Sequence, residues 1–238
     1  MYFGGLGYYY FDWTYILVLI GIILSLGASA KVNGTFRKYS RTWSRSGMTG
    51  AEAAKRILDA NGIYDVAVRQ VPGNLTDHYD PRSKTVNLSA SVYGSTSISA
   101  IGVAAHECGH VIQDARGYAP LRIRTALVPA ANIGSNLAIP LIILGVIIGG
   151  VGSPLAELGI IMFSLAVLFQ LVTLPVEFNA SSRALRILGD SWILSEDEVR
   201  QAREVLGAAA LTYVAAAASS ILQLLRLVIL FGGRRNDE

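Results

Sequence analysis

The chain has 238 residues, of which 52% are hydrophobic and only 16% charged, a balance unusual for a soluble protein. Its formal net charge of +3 is too small and too dispersed to suggest nucleic acid as a partner. The single cysteine, Cys108, excludes an intrachain disulfide and is compatible with a reducing compartment.

A helix needs about 20 mostly apolar residues to cross the hydrocarbon core of a bilayer. The first candidate is WTYILVLIGIILSLGASA, residues 13–30. It follows Tyr8, Tyr9, Tyr10 and Phe11, aromatics that favour a membrane interface. Ala28-Ser29-Ala30 fits the small-residue pattern of a signal-peptide cleavage site. However, residues 1–12 contain no Lys or Arg and do contain Asp12, so the segment is expected to stay as an anchor. Lys31, Arg37, Lys38, Arg41 and Arg45 follow it. The positive-inside rule then places residues 31–126 in the cytoplasm.

The hydrophilic part comes next. MTGAEAAKRILDANG, residues 48–62, reads as an amphipathic helix with Thr49 and Glu52 at capping-box spacing and Gly62 past its end. Residues 63–71 have strand character, and Pro72-Gly73 signals a turn. LTDHYDPRSKTVNLS, residues 75–89, predicts two short extended pieces around Asp80-Pro81. STSISAIGVAAHECGHVIQDARG, residues 95–117, reads as a helix starting in Ser/Thr and ending at Gly117.

Three more apolar runs follow. Residues 127–152 and 155–175, separated by the VGSP turn, predict a transmembrane hairpin. Residues 176–206, with Arg183, Arg186, Arg200 and Arg203, are expected back on the cytoplasmic side. Residues 207–233 are the weakest candidate span, because they carry Gln223 and Arg226, and the basic pair Arg234 and Arg235 fits poorly on the outer face. Asn132, Asn136, Gln170 and Gln223 within the spans are expected to hydrogen-bond between helices, and Arg226 to snorkel or face a cavity. The chain thus divides into an anchor (1–30), a cytoplasmic part with the helix of residues 95–117 (31–126), a hairpin (127–176), a second cytoplasmic segment (177–206) and a C-terminal membrane helix with its tail (207–238).

The motif that carries chemistry is AAHECGH, residues 104–110, which holds two of the three histidines. Positions i and i+4 share one helix face, so His106 and His110 can meet one metal ion. Glu107 lies about 100° round the helix, near enough to reach a water on that ion. In such sites zinc acidifies the water and the carboxylate takes its proton. The helix around the motif is otherwise small and apolar, so its polar groups need partners. Cys108 points away and reads as a small buried residue, while Gly109 leaves one surface bare for an approaching backbone or substrate.

A catalytic zinc needs a third protein ligand and an open position. No histidine follows His110, so the third ligand must be His78, an Asp or a Glu. The hairpin favours Glu177, because two spans return the chain to the face it left. Glu157 falls on the opposite side, and the acids of residues 190–198 look like a turn and a helix N-terminus.

Glu177-Phe-Asn-Ala-Ser-Ser-Arg-Ala184 after HECGH resembles the bacterial neutral zinc metallopeptidases of the YugP-like membrane family. The resemblance spans nearly the whole chain, including LTDHYDPR and LTYVAAAASS. More distantly, the two metal helices and their hairpin resemble HtpX-like and CAAX prenyl proteases. The resemblance implies a zincin-like, gluzincin-type core with a small β-sheet in a mainly α membrane protein of about four transmembrane helices. It implies Zn2+ as cofactor, His106, His110 and Glu177 as ligands, and Glu107 as catalytic base. Ser181 stands where the distant relatives carry Asp, and Ser181 or Asn179 is expected to orient a ligand histidine.

His78 lies in an extended segment, and the resemblance to zincin-type cores implies that this region forms an edge strand beside the cleft to which a substrate strand can add; His78 or Tyr79 is a candidate to steady the oxyanion. Asp77 and Asp80 are expected to shape the DHYDPR turn. Arg183 is a candidate for a substrate carbonyl, an acid or the membrane interface. The expected activity is hydrolysis of peptide bonds in a peptide or protein substrate at the cytoplasmic face of a bacterial cell membrane. The alternatives are a site-2-type protease, with the motif inside a span, and a non-catalytic metal-binding membrane scaffold.

Overall fold

The computed structural model describes residues 12–232. The aromatic cluster at residues 8–11 and Arg234 and Arg235 lie outside the described residues. The elements run α1 (Tyr15–Tyr39), α2 (Gly50–Ala60), β1 (Ala67–Val71), β2 (His78–Asp80), β3 (Thr85–Ser89), α3 (Ala90–Tyr93), α4 (Ile98–Ala115), α5 (Ala119–Gly149), α6 (Pro154–Asp190) and α7 (Glu196–Gly232).

Four helices, α1, α5, α6 and α7, are long and apolar enough to cross a membrane. Most of their large apolar side chains face outward, among them Ile16, Ile23, Leu26, Ile147, Ile148 and Ile161. Water makes such a surface costly and lipid does not. This is a mainly helical membrane protein with one small sheet.

The spans pair through small residues. In the α5–α6 hairpin a Cβ on Gly134 would lie 2.5 Å from the Met162 carbonyl oxygen, and one on Gly145 would lie 2.4 Å from the Ala156 nitrogen. Lipid supplies no hydrophobic force between helices, so close backbone contact must hold them. Ser153 caps α6 by accepting from the Ala156 N–H at 3.3 Å, and Pro154 follows it at N1. Each helix runs further than its apolar stretch. The α5 helix begins at Ala119, and α6 continues unbroken past the membrane stretch through Glu177 to Asp190.

The α1 and α7 helices lie alongside one another and are tied at both ends. Arg226 reaches Asp12 Oδ2 and Thr14 Oγ1, each at 3.2 Å, and stacks 4.2 Å from the centre of the Tyr15 ring. A charged group in a span needs such partners. At the other end, Tyr39 donates to Glu204 at 2.7 Å. Midway, the Ser219 hydroxyl donates to the Gly21 carbonyl at 2.9 Å. Among the described residues no interhelical hydrogen bond uses the side chains of Asn132, Asn136, Gln170 or Gln223; the helices meet through their small residues instead.

The hydrophilic elements gather at the end where α1 stops and α7 starts. The α2 helix carries the full capping box: the Glu52 N–H donates to Thr49 Oγ1 at 3.2 Å, and the Thr49 N–H to Glu52 Oε2 at 2.8 Å. The sheet has order β1-β3-β2, with β1 parallel and β2 antiparallel to β3. That leaves β2 at an edge beside α4. Asp77 accepts from the Ser89 N–H at 2.7 Å, and Asp80 from the Arg82 N–H at 2.9 Å, so both shape this segment as expected. The α4 helix is not among the four spans. It is buried on most sides, with Ile98, Ile101, Ala104, Cys108, Val111 and Ile112 at its core.

The α4 and α6 helices cross at Gly109, where a Cβ would lie 2.6 Å from the Ala180 carbonyl oxygen. A methyl group therefore cannot enter without moving α6. Gly109→Ala is expected to cost about 1–3 kcal/mol, the usual penalty for overpacking. Thermal unfolding in detergent with parallel zinc analysis checks it: both midpoint and bound zinc should fall.

Candidate metal centre

One turn of α4 separates His106 from His110, and their rings stand edge to face with centroids 4.8 Å apart. The Gly109 crossing brings α6 against the same face. Glu177 Oε2 lies 3.2 Å from His106 Nε2 and 3.6 Å from His110 Nε2. The ligand atoms of these three residues all lie within 4.8 Å of one another. Glu177 is 2% and His110 8% exposed. A carboxylate this buried needs a compensating charge.

The rear nitrogens are held as well. His106 Nδ1 is 3.1 Å from Ser181 Oγ, and His110 Nδ1 is 3.0 Å from Gln113 Oε1. The direction of the second contact is fixed by a chain of bonds. Arg183 Nε donates to Asn179 Oδ1 at 2.7 Å, which makes that oxygen an acceptor. Gln113 Nε2 donates to the same oxygen at 3.0 Å and to the Val176 carbonyl at 2.8 Å. Gln113 can therefore turn only its carbonyl towards His110. The neutral imidazole then carries its proton on Nδ1 and aims the Nε2 lone pair at Glu177. Two acceptors facing one another require a positive charge between or upon them. Burial disfavours charge on His110, but the carboxylates of Glu177 and Glu107 outweigh it and hold the imidazole above its usual pKa. Two imidazole nitrogens, each braced from behind, and a carboxylate oxygen form a donor set that suits zinc.

Glu107 is 8% exposed and faces the same space. Its Oε2 accepts the Tyr79 N–H of strand β2 at 3.0 Å. A cavity of about 700 Å³ opens here, lined by β2, the start of α5, Glu107, His110, Glu177 and Tyr213. Tyr213, from α7, lines the cavity wall together with Glu177 and Glu107. Arg124 Nη2 lies 3.8 Å from Glu177 Oε1.

His106, Glu107, His110, Glu177, Ser181 and Asn179 thus come together. The other candidates sit further out. His78 is exposed at the cavity rim, and its ring nitrogens contact the Thr76 carbonyl (2.9 Å) and Asn87 (3.2 Å) rather than the cluster. Tyr79 gives its backbone N–H to Glu107 and its hydroxyl to Asp114 at 2.8 Å, and burial with that carboxylate pushes the phenol's pKa up. Arg183 braces Asn179 and packs 5.9 Å from the Tyr118 ring centre. Cys108 is fully buried, its thiol pushed up in pKa by burial. Gln113, Arg124 and Tyr213 join the site without having been singled out. Gln113 was within reach of sequence reasoning, because it stands three residues after His110 on the same helix face. Arg124 and Tyr213 arrive through helix packing and leave no local spacing signal.

The fold and this cluster define a membrane protein with a candidate zinc centre of two histidines and one glutamate. The chain belongs to the family described as "Putative neutral zinc metallopeptidase", whose family model matches residues 14–232. It is 49% identical over 222 residues to "Putative membrane protease YugP" of Bacillus subtilis (strain 168), covering 93% of this chain and 98% of that protein. No solved structure matches it.

Gln113→Leu keeps the volume and removes the acceptor behind His110. Zinc affinity is expected to fall about 10–100-fold, as for other losses of a group bracing a metal ligand. Competition with a chromophoric chelator measures it.

Proposed function

We propose that the protein is a zinc metallopeptidase that cuts membrane-proximal polypeptides at the cytoplasmic face. The observation that carries this reading is the convergence of both Nε2 atoms on Glu177 Oε2, with Glu107 facing the same cavity. His106, His110 and Glu177 hold the ion. Zinc bound there would supply Lewis acidity and an acidified water.

The remaining work falls to the chain. Glu107 is the general base and then the general acid: it takes a proton from the attacking water and returns it to the leaving amine. The Tyr79 N–H fixes Oε2, so the carboxylate stays oriented while it gains and loses that proton. Ser181 and Gln113 keep the imidazoles turned, with Asn179 and Arg183 behind Gln113. Tyr213 reaches the same space with a neutral phenol that can donate to developing negative charge. Apart from the Tyr79 N–H, which Glu107 takes, the outer edge of β2 is unpaired in the sheet and suits an extended substrate added as a strand.

The cytoplasmic assignment rests on charge. Lys31, Arg37, Lys38, Arg41 and Arg45 lie at the same end of the bundle as the cluster, as do Arg183, Arg186, Arg200 and Arg203. Such an excess marks the inner side of a membrane. A motif inside a span is disfavoured, because α4 packs among α2, the sheet and α6 rather than crossing.

Glu107→Gln is expected to keep bound zinc while lowering turnover of a responsive peptide by about 10²–10⁴-fold, the usual share of a general acid–base. Glu177→Ala should lose the metal itself. Zinc analysis and peptide hydrolysis on the same detergent preparations separate the two roles. Undiminished hydrolysis by Glu107→Gln would contradict the base assignment, and full zinc retention by Glu177→Ala the ligand assignment.

A further inference from the structure

The cavity beside the cluster is lined by both signs of charge, but only one sign is spent. Asp77 is used by Ser89, and Asp80 by the Arg82 N–H and Ser83. Asp114 accepts from Tyr79 and sits 3.6 Å from Lys84. Glu177 faces the two histidines. The arginines differ. Among the described residues, the side chains of Arg82 and Arg122 form no ion pair. Arg124 has only the long 3.8 Å approach to Glu177 Oε1. Its Nε is buried with no hydrogen-bond partner.

An unpaired buried N–H is costly, and Arg124 keeps that N–H closed off while its side chain is 32% exposed at the cavity wall, so its terminal guanidinium N–H groups are the donors that can receive a ligand atom there. Glu177 cannot serve them fully, since that carboxylate is turned to the histidines and would share its charge with a bound cation. The planar fork of arginine matches a carboxylate, and Arg122 and Arg82 add positive potential at the cavity walls. Arg124 is within a few ångströms of Glu177, so a group bound to it lies within about one residue of the reacting centre.

Resting on the metallopeptidase reading, we propose that the cavity selects its substrate through Arg124, which receives a carboxylate adjacent to the scissile bond. That carboxylate is either an acidic side chain or a free C-terminus. Arg124 is then a specificity-determining residue, distinct from the groups that hold metal or move protons.

Binding tests this without turnover. The probes are fluorescein-labelled decapeptides with Glu or Gln scanned through each position, each with a free or an amidated C-terminus. They are titrated by anisotropy against full-length, zinc-loaded Glu107→Gln protein in detergent. The expected result is one charged probe binding at least about tenfold tighter than its neutral counterpart, in line with a desolvated charge pair. A Glu effect at one position identifies an acidic side chain, and an effect of amidation alone identifies the C-terminus. Adding Arg124→Gln should erase that difference, while Arg124→Lys, which keeps the charge without the fork, should keep part of it. Equal binding of charged and neutral probes overturns the proposal before any arginine is changed. A preference that survives Arg124→Gln, or an equal loss for all probes, overturns it too. If the preference holds but the unsubstituted protein cuts none of the probes, the peptidase reading fails and the carboxylate site stands.

Discussion

The centre depends on one close approach. The α4 and α6 helices touch backbone to backbone at Gly109, which sits between the two histidines of its own helix and under the Ala180 carbonyl. Only hydrogen fits there. The contact sets the distance between the two helices and so the distance from Glu177 to His106 and His110. Both partners are regular helices braced by other elements, and sites built on such elements hold geometry better than sites on loops. The α6 helix brings a second advantage. It crosses the membrane stretch and continues without a break into the hydrophilic end, so the position of Glu177 is fixed by the span itself.

Around that contact lies a set of polar groups that burial would penalise if any partner were missing. Ser181 backs His106, Gln113 backs His110, and Asn179 and Arg183 fix the polarity of Gln113. Two runs of donors meet at Asn179 Oδ1: Arg183, which can only donate, on one side, and His110 Nδ1–H through Gln113 on the other, which leaves the remaining imidazole lone pair facing the carboxylate. The design extends to the other helices. The α1 and α7 helices are clamped at one end by Arg226 and Asp12 and at the other by Tyr39 and Glu204. That pairing places Tyr213 of α7 in the cavity wall.

Much of this was legible in the sequence. The capping box of α2, the two strands around Asp80-Pro81 and the motif helix ending at Gly117 carried strong local signals. The approach of Glu177 followed from counting spans, because a hairpin returns the chain to the face it left. Other features lacked any such signal. Helix lengths beyond the apolar stretches were missed because hydropathy marks what lies in lipid, not where hydrogen bonding stops. The partner of Arg226 lies more than two hundred residues away, at the start of the first span. Arg124 and Tyr213 depend on how three helices pack. The bare surface of Gly109 could be read from its residue type, whereas its neighbour, the α6 backbone, could not.

The central claim is that two imidazoles and one carboxylate, and nothing softer, hold a zinc ion. Zinc K-edge X-ray absorption on the purified, metal-loaded protein in detergent tests it most directly. The account predicts a first shell of nitrogen and oxygen at about 2.0–2.2 Å, with scattering from two imidazoles. A sulfur shell at about 2.3 Å, which only Cys108 or a methionine could supply, would contradict it. So would scattering from a third imidazole, since the only other histidine is His78.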